Sequence, residues 1–150
     1  MLKISRTLFD HIKENDFKKI MFIDPEQVRK LSGNIFMRII NHFLPPANKF
    51  LRETFNAKEN NKILSQLSVI PDNFSNSRFQ ISSLKIRKGN EFAAKPIIDF
   101  VVNKYGGSGA CNFLVYIDEN YPEIISLFKN ECGFRSCSKI EFFKTDFLGI

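Results

Sequence analysis

Hydrophobic and polar residues alternate in the middle of the chain, and this pattern predicts β-strands. Between residues 50 and 86 the period is close to two, and short polar segments at residues 59–61 and 71–76 interrupt it. Because the interruptions are short, we expect consecutive strands to run antiparallel as a meander. The predicted strands cover residues 52–58, 63–70 and 78–86.

The third predicted strand changes phase at its centre. Its apolar residues alternate with polar neighbours on both sides of Ser82-Ser83, but the two halves are out of phase. One extra residue in a strand produces such a shift, which is a β-bulge, and small polar side chains tolerate it. We therefore predict a bulge at the serine pair, between Phe79 and Ile81 on one side and Leu84 and Ile86 on the other.

A loop and a helix follow the bulged strand. The basic turn Arg87-Lys88-Gly89-Asn90 precedes apolar residues at helical spacing over residues 92–105. The backbone N–H groups and positive end of such a helix point to one place, where an anion can bind, although most units of this kind bind nothing. The nearly continuous apolar run at residues 111–118 predicts a central strand, parallel to the bulged strand through a right-handed crossover.

The two ends of the chain complete the predicted mixed sheet. At the C-terminal end we expect a helix from Asn120, its cap, to the stop at Gly133, followed by a strand at residues 136–144. At the N-terminal end residues 1–23 fit either a strand or a helix. Residues 24–44 are expected to form one helix, which begins at the Asp24-Pro25 cap, includes Gly33 and stops at Pro45-Pro46.

The expected organisation is one α/β (α+β) domain over residues 1–150. A helical part at residues 1–49 precedes a mixed sheet with two helices at residues 50–144. The buried face of the helix at residues 24–44 is expected to contain Val28, Leu31, Ile35, Ile39 and Phe43.

Composition narrows the classes of function only a little. The chain has 150 residues, a formal net charge of +6 and a pI near 9.3, with Lys and Arg spread along its length. A basic surface permits an anionic partner, but without clustering we do not expect that partner to be nucleic acid. No apolar run approaches the roughly 20 residues of a bilayer span, and no signal-peptide core follows the basic start, so we expect a cytoplasmic protein.

The cysteines are not arranged as a metal site. Cys111, Cys132 and Cys137 are odd in number and lack the paired short spacings of a zinc site, and only His11 and His42 are available to assist them. We expect reduced, partly buried thiols and no bound metal.

The order of elements resembles a GNAT-type N-acyltransferase. The resemblance covers residues 50–144 best, and its most specific segments are ISSLKI, FAAKPIIDFVV, FLVYID and LFKNECGF. The segment from NKYG through FLVYIDE to CGFRSC further resembles cyanobacterial members of that family. The resemblance implies a GNAT-like fold in which the bulged strand and the following parallel strand diverge, with acetyl-coenzyme A between them.

The resemblance also implies which residues hold the acyl donor. Backbone of the bulged strand would pair with the pantetheine amides and polarise the thioester carbonyl, and the loop and helix start would hold the pyrophosphate, assisted by Arg87, Lys88 or Lys95. The implied donor-binding residues are Ser83, Leu84, Lys85, Ile86, Arg87, Lys88, Gly89, Asn90, Phe92, Ala93 and Ala94.

The chain departs from the family pattern at three positions, and at the first of them Gly89 stands where the family usually has Arg or Gln. Phe92 stands where the family has a glycine that lets the donor approach closely, and Phe128 stands where many members have a tyrosine that protonates the leaving thiolate. Tyr121 and Tyr116 are the candidate replacements for that general acid. The candidate general bases are Glu53, Glu91 and Asp118, each also expected as a surface carboxylate.

Three functions are consistent with these residues. The first is transfer of an acetyl group from acetyl-coenzyme A to an amine of a small molecule or peptide; the identity of this acceptor and the oligomeric state of the protein are left open. The alternative is a non-catalytic GNAT-like binding or structural module, which the departures at Phe92 and Phe128 favour. The third is a basic protein that binds nucleic acid through its net charge.

Overall fold

The structure is a computed structural model that describes residues 1–8, 12, 14–23, 25–45, 48–71, 78–106 and 112–136. The chain divides into two compact units, Met1–Val115 and Tyr116–Ile150. The predicted C-terminal strand at residues 136–144, the Asp24 cap, His11, Cys111 and Cys137 lie outside the described residues, apart from Ser136, which is not in a strand.

The first unit contains one mixed sheet of six strands. The predicted meander is confirmed, because β3, β4 and β5 pair antiparallel in sequence order, and β1 extends the sheet beyond β3. The far edge of β5 is shared between an antiparallel partner, β2, and a parallel partner, β6. The strands are β1 Lys3–Thr7, β2 Phe17–Met21, β3 Glu53–Glu59, β4 Lys62–Pro71, β5 Arg78–Arg87 and β6 Asn112–Leu114.

The described residues contain four α-helices, three of them in the first unit. A 3-10 turn at Glu91–Ala93 leads directly into the third, and a π-helical turn at Leu127–Glu131 continues the fourth. The helices are α1 Pro25–Lys30, α2 Ile35–Phe43, α3 Ala94–Gly106 and α4 Pro122–Ser126. The predicted mixed α/β fold class is therefore confirmed, with a meander that is followed by a helix and by a strand parallel to the last strand of the meander.

The predicted bulge lies where the phase of the sequence changes. Ser68 of β4 faces Ser83 of β5, but Val69 faces Ile81, so Ser82 is the extra residue. The Ser82 hydroxyl donates to the backbone oxygen of Ser68 at 3.0 Å, which holds the bulge against β4. The bulge lets both halves of β5 direct their apolar side chains into one core.

The N-terminal part is not purely helical, because β1 and β2 both lie within it. The single helix predicted over residues 24–44 is also wrong. Gly33 has a left-handed backbone (φ +63°), and a Cβ there would lie 2.7 Å from Leu51 Cδ1. Asn34 then caps α2, since its side chain accepts a 2.9 Å hydrogen bond from the Met37 N–H. Two helices therefore replace one.

The apolar face of α2 is exposed, contrary to the predicted burial of Ile35, Ile39 and Phe43. The buried residue of this helix is Asn41, whose side-chain oxygen accepts from the backbone N–H of Phe50 at 2.7 Å. Polar groups of the next loop thus select the side of α2 that faces inward. The exposed apolar residues of α2 are Ile35, Phe36, Met37, Ile39, Ile40 and Phe43.

The core of the first unit lies between α3 and one face of the sheet. Tyr105 of α3 makes edge contacts with Phe55 and Phe79, at centroid distances of 6.2 and 4.8 Å. At the other end of the helix the Ser65 hydroxyl donates to the Ala93 carbonyl at 2.8 Å. Contacts at both ends fix α3, and hence the loop before it, relative to β5.

The second unit is described from Tyr116 to residue 136. The N-cap of α4 is Tyr121 rather than the predicted Asn120. Gly133 has φ +77° and ends the helical segment as predicted. Phe128, 1% exposed, makes an edge contact with Phe134 at 5.0 Å.

Candidate functional site

The parallel partner of β5 stops before the bulge is reached. β6 pairs only with Arg78, Phe79 and Gln80 and ends at Leu114. The strand predicted at residues 111–118 is therefore shorter than expected, and residues 115–118 are not in a strand. Because β6 ends there, the edge of β5 beyond Gln80 is left for another partner.

That partner is β2, which pairs antiparallel with the second half of β5. Phe17 faces Arg87 and Met21 faces Ser83 in an unbroken register. The Phe22 N–H extends this ladder by donating to the Ser82 carbonyl, in the bulge itself, at 2.9 Å. The segment predicted to hold the acyl donor, Ser83, Leu84, Lys85 and Ile86, thus lies in register with β2, and the hydrogen-bonding groups of Leu84 and Ile86 point at it.

The loop after β5 contacts the same N-terminal segment. The Lys88 N–H donates to the Asp16 carbonyl at 3.2 Å, and the Arg87 guanidinium lies 4.6 Å from the centroid of the Phe17 ring. Residues 16–22, which we call the edge segment, therefore contact both the bulge and the loop. The sequence pattern of residues 1–23 fits either a strand or a helix and did not predict this pairing. The alternate spacing of Ile20 and Phe22 is a short local pattern of the kind that a strand shows.

The loop has a backbone suited to an anion but already contains one. Gly89 has φ +86°, and among the described residues, its two chain neighbours aside, no atom lies within 4 Å of the position of an added Cβ. Its N–H donates to the Glu91 carboxylate at 3.3 Å. The Asn90 N–H donates to the Arg87 carbonyl at 2.9 Å, and this hydrogen bond closes the turn.

Two of the three basic side chains predicted to assist at the loop, Arg87 and Lys95, contact other protein groups. Arg87 Nε donates to the Ile63 carbonyl at 2.8 Å. Lys95 forms an ion pair with Asp99, one turn further along α3. The Lys88 side chain is exposed. At the helix start Phe92 is 59% exposed, whereas Ala93 and Ala94 are buried.

The two candidate acid tyrosines differ in exposure. Tyr121 is 39% exposed at the N-cap of α4, whereas Tyr116 is half-buried. Phe128, at the position of the family tyrosine, is 1% exposed. Of the candidate bases, Glu91 and Asp118 are exposed.

Glu53 is not the surface carboxylate that the sequence suggested. It is 5% exposed, and its Oε1 accepts from Tyr105 Oη at 2.9 Å and lies 2.6 Å from Lys49 Nζ. Its Oε2 lies 3.4 Å from His42 Nδ1. Lys49 Nζ also donates to the Asn41 carbonyl at 2.9 Å. The sequence contains no signal for this buried cluster beyond the four-residue spacing of Lys49 and Glu53.

The cluster affects the protonation of His42. Burial lowers the pKa of His42 below its ordinary value, although the hydrogen bond to Glu53 opposes this effect. Arg6 and Lys49 also lower the pKa by repelling the protonated ring. The neutral imidazole is therefore favoured in the folded protein.

We expect stability to fall as the pH is lowered through about 6.5, the ordinary pKa of histidine. The folded pKa is lower, so the unfolded chain binds the proton first, and the contribution of neutral His42 is lost on acidification. The measurement is urea unfolding between pH 8 and pH 5 for the wild type and His42→Gln. A parallel loss of stability in both proteins would contradict this role of His42.

The described part of the chain contains neither a candidate metal site nor a candidate membrane-spanning helix. There, no group of three or more His, Cys, Asp and Glu side chains has the arrangement of a metal site. Within the same residues, none of the helices combines the length and apolar character that a bilayer span requires.

Comparison with solved structures identifies several with the same fold. An IAA acetyltransferase from Bacillus cereus superimposes with a TM-score of 0.61 at 14% identity, over 92% of this chain and 79% of that one. A transcriptional regulator from Bacillus halodurans gives a TM-score of 0.55 at 13% identity, over 93% and 96% of the two chains.

An aminoglycoside acetyltransferase from an uncultured soil metagenomic sample gives a TM-score of 0.54 at 17% identity, over 91% of this chain and 92% of that one. The same kind of enzyme was also solved in complex with sisomicin. No protein-family model and no curated protein sequence matches the chain. At these identities the likeness shows the fold.

Proposed function

Because the chain has the fold of the GNAT-type N-acyltransferases, we propose that it transfers an acetyl group from acetyl-coenzyme A to an amine. One observation supports this proposal above others: β5 is bulged at Ser82, and its parallel partner β6 ends before the bulge. Beyond β6 the edge of β5 pairs with β2, and where β2 is displaced the backbone groups of that edge can pair with an extended amide-bearing ligand.

The donor site in this proposal follows the second half of β5 and the loop. Backbone of residues 83–86 pairs with the amides of the pantetheine arm, and the pyrophosphate lies at residues 87–94. The open space beside Gly89 is compatible with close approach of a phosphate to the backbone. A backbone N–H directed at the thioester oxygen stabilises the charge that develops there, and such a donor typically contributes about 3 to 4 kcal/mol.

The reaction is direct attack of the amine on the thioester. The amine nitrogen forms a bond to the carbonyl carbon, the bond from carbon to sulfur breaks, and the leaving thiolate takes a proton. We assign that proton to Tyr121, because its side chain is exposed while Phe128 has no hydroxyl group. The proton lost by the amine passes to Asp118 or water, since Glu53 is already engaged by Lys49 and Tyr105 and Glu91 lies at the pyrophosphate end.

The solved structures with the same fold suggest which classes of acceptor amine to test. Those include an aminoglycoside acetyltransferase solved with sisomicin, a molecule with several amines. A panel of aminoglycosides, polyamines and peptides with free N-termini covers the small-molecule and peptide classes. We expect turnover of at least one amine when thiol release is measured with acetyl-coenzyme A.

Calorimetric titration with acetyl-coenzyme A is the direct test of the donor site. We expect saturable heat, and no change when the titrant is acetate alone. Absence of heat at millimolar donor, together with no thiol release for any amine, would exclude the enzyme.

Glu91→Gln is expected to strengthen donor binding about two- to fivefold. The Glu91 carboxylate accepts from the Gly89 N–H, so it occupies an amide that the pyrophosphate would use and repels its charge. The measurement is the dissociation constant for acetyl-coenzyme A at low salt. Glu26→Gln, an exposed carboxylate on α1, is the matched control and should leave the constant unchanged. Weaker binding by Glu91→Gln would contradict the placement of the pyrophosphate.

A non-catalytic module is the second candidate. It is favoured by one observation, the pairing of β2 with the edge of β5 that the donor would use. In this case the edge segment is a permanent strand of the sheet and the protein acts through its surface. Turnover with any amine of the panel would exclude it.

A further inference from the structure

The edge segment satisfies, by itself, the groups that the proposed donor site would offer. We propose that residues 16–22 are an internal occupant of that site, so that pairing of β2 with β5 and binding of the acyl donor exclude each other. This inference rests on the proposed function, because it assumes that the donor binds along β5.

The hydrogen bonds of the ladder fix which β2 groups are involved. Phe22 donates to Ser82, and Lys88 donates to Asp16. Antiparallel ladder bonds recur at every second residue, so the intervening bonded positions on β2 are Ile20, opposite Leu84, and Lys18, opposite Ile86. The N–H groups of residues 18, 20 and 22 thus point at β5, whereas those of residues 19 and 21 point away from it.

The pairing covers the whole length of the proposed donor site. At one end is the bulge carbonyl of Ser82, and at the other end are the Lys88 N–H and the Arg87 guanidinium, bound by Asp16 and Phe17. An extended pantetheine arm with its pyrophosphate would need these same backbone groups and this same cation. The strand β2 and the pantetheine arm cannot pair with the same edge of β5 at the same time.

In this proposal, opening of β2 breaks its ladder with β5 and exposes three buried side chains. β2 has five residues and pairs with one strand, β5. Phe17, Ile20 and Phe22 are buried, whereas Lys18 and Lys19 are exposed. A short strand held at one edge opens more readily than the strands inside a sheet. The observed association constant for the donor is then the intrinsic constant multiplied by the fraction of molecules in which β2 is open.

Lys18→Pro and Lys19→Pro form a matched pair. Both replace an exposed lysine of β2 with proline, but only the first removes an N–H directed at β5. We expect Lys18→Pro to bind acetyl-coenzyme A roughly tenfold more tightly than the wild type, since one ladder bond and its neighbours are lost. Lys19→Pro should bind within about twofold of the wild type, because its N–H points away from β5.

Three outcomes of this titration are distinguishable. Tighter binding by Lys18→Pro alone supports the exclusion. Equal binding by the wild type and Lys18→Pro, both of them folded by circular dichroism, overturns the exclusion but leaves the proposed donor site intact. Binding by no variant, at millimolar donor, overturns the donor site and the exclusion with it.

A reversible lock provides a second test that does not depend on weakening the strand. Met21 and Ser83 face each other at a non-hydrogen-bonded position, where Cα atoms lie about 4.5 Å apart, a distance that a disulfide spans. The variant carries Met21→Cys and Ser83→Cys, with the three native cysteines replaced by serine. The reduced form of the same protein is the control.

We expect the oxidised lock to bind acetyl-coenzyme A at least tenfold more weakly than the reduced form, with binding restored by reductant. Hydrogen exchange reports the mechanism directly in the wild type. Added donor should speed exchange at Ile20 and Phe22 while the amides of Leu84 and Ile86 stay protected. Equal affinity in the two redox states, or donor-induced protection of β2, would overturn the proposal.

Discussion

Glu53→Gln is expected to lower the free energy of unfolding by about 3 kcal/mol or more. The substitution leaves the Lys49 ammonium, whose side chain is 6% exposed, without the carboxylate that lies 2.6 Å away. It also weakens the hydrogen bond that the carboxylate accepts from Tyr105. The cost is dominated by the unpaired buried charge rather than by the lost attraction. The measurement is equilibrium unfolding in urea at pH 7.5.

Glu59→Gln is the matched control on the same strand. Glu59 pairs with the N-terminal amine at 3.5 Å, and its side chain is 40% exposed, so its loss should change stability by less than about 0.5 kcal/mol. A double variant, Glu53→Gln with Lys49→Met, should be more stable than Glu53→Gln alone, because the orphan charge is removed. A loss under about 1 kcal/mol for Glu53→Gln would contradict the buried cluster.

Tyr121→Phe is expected to lower kcat about 100-fold, with little change in KM for the donor. The reason is that the proposed role of the hydroxyl lies in the transition state, where it gives its proton to the leaving thiolate. The side chain of Tyr121 is 39% exposed. The measurement is steady-state thiol release with an amine that the panel identifies.

Tyr116→Phe is the control, since Tyr116 is half-buried. It should retain kcat within about threefold, the scale of a modest packing change. Loss of activity in Tyr116→Phe instead would move the general acid to that residue.

The edge segment connects the two candidate functions. If β2 opens, the bulged edge is available and the chain can act as an acetyltransferase; if it stays paired with β5, the same fold is a non-catalytic module. The Pro pair and the disulfide lock therefore measure the property that separates the two. Glu91 acts at Gly89, next to the end of the ladder at Lys88.

The sequence by itself determined the elements that depend on local patterns. The period-two segments gave the meander, and the phase change at Ser82-Ser83 gave the bulge, because side-chain alternation is a local property of a strand. The helix after the Arg87-Lys88-Gly89-Asn90 turn followed from its apolar spacing. Gly133 marked the end of the last helical segment for the same local reason.

Only the tertiary structure decided which groups fill the edge of β5 and which polar groups are buried. The pairing of β2 with β5 joins residues far apart in the chain, and its ladder leaves no sequence signal beyond a short alternation. Glu53 and Asn41 are polar residues that burial makes favourable only because Lys49, Tyr105 and the Phe50 backbone meet them in space. Local periodicity cannot report such distant partners, which is why the exposed face of α2 was predicted to be buried.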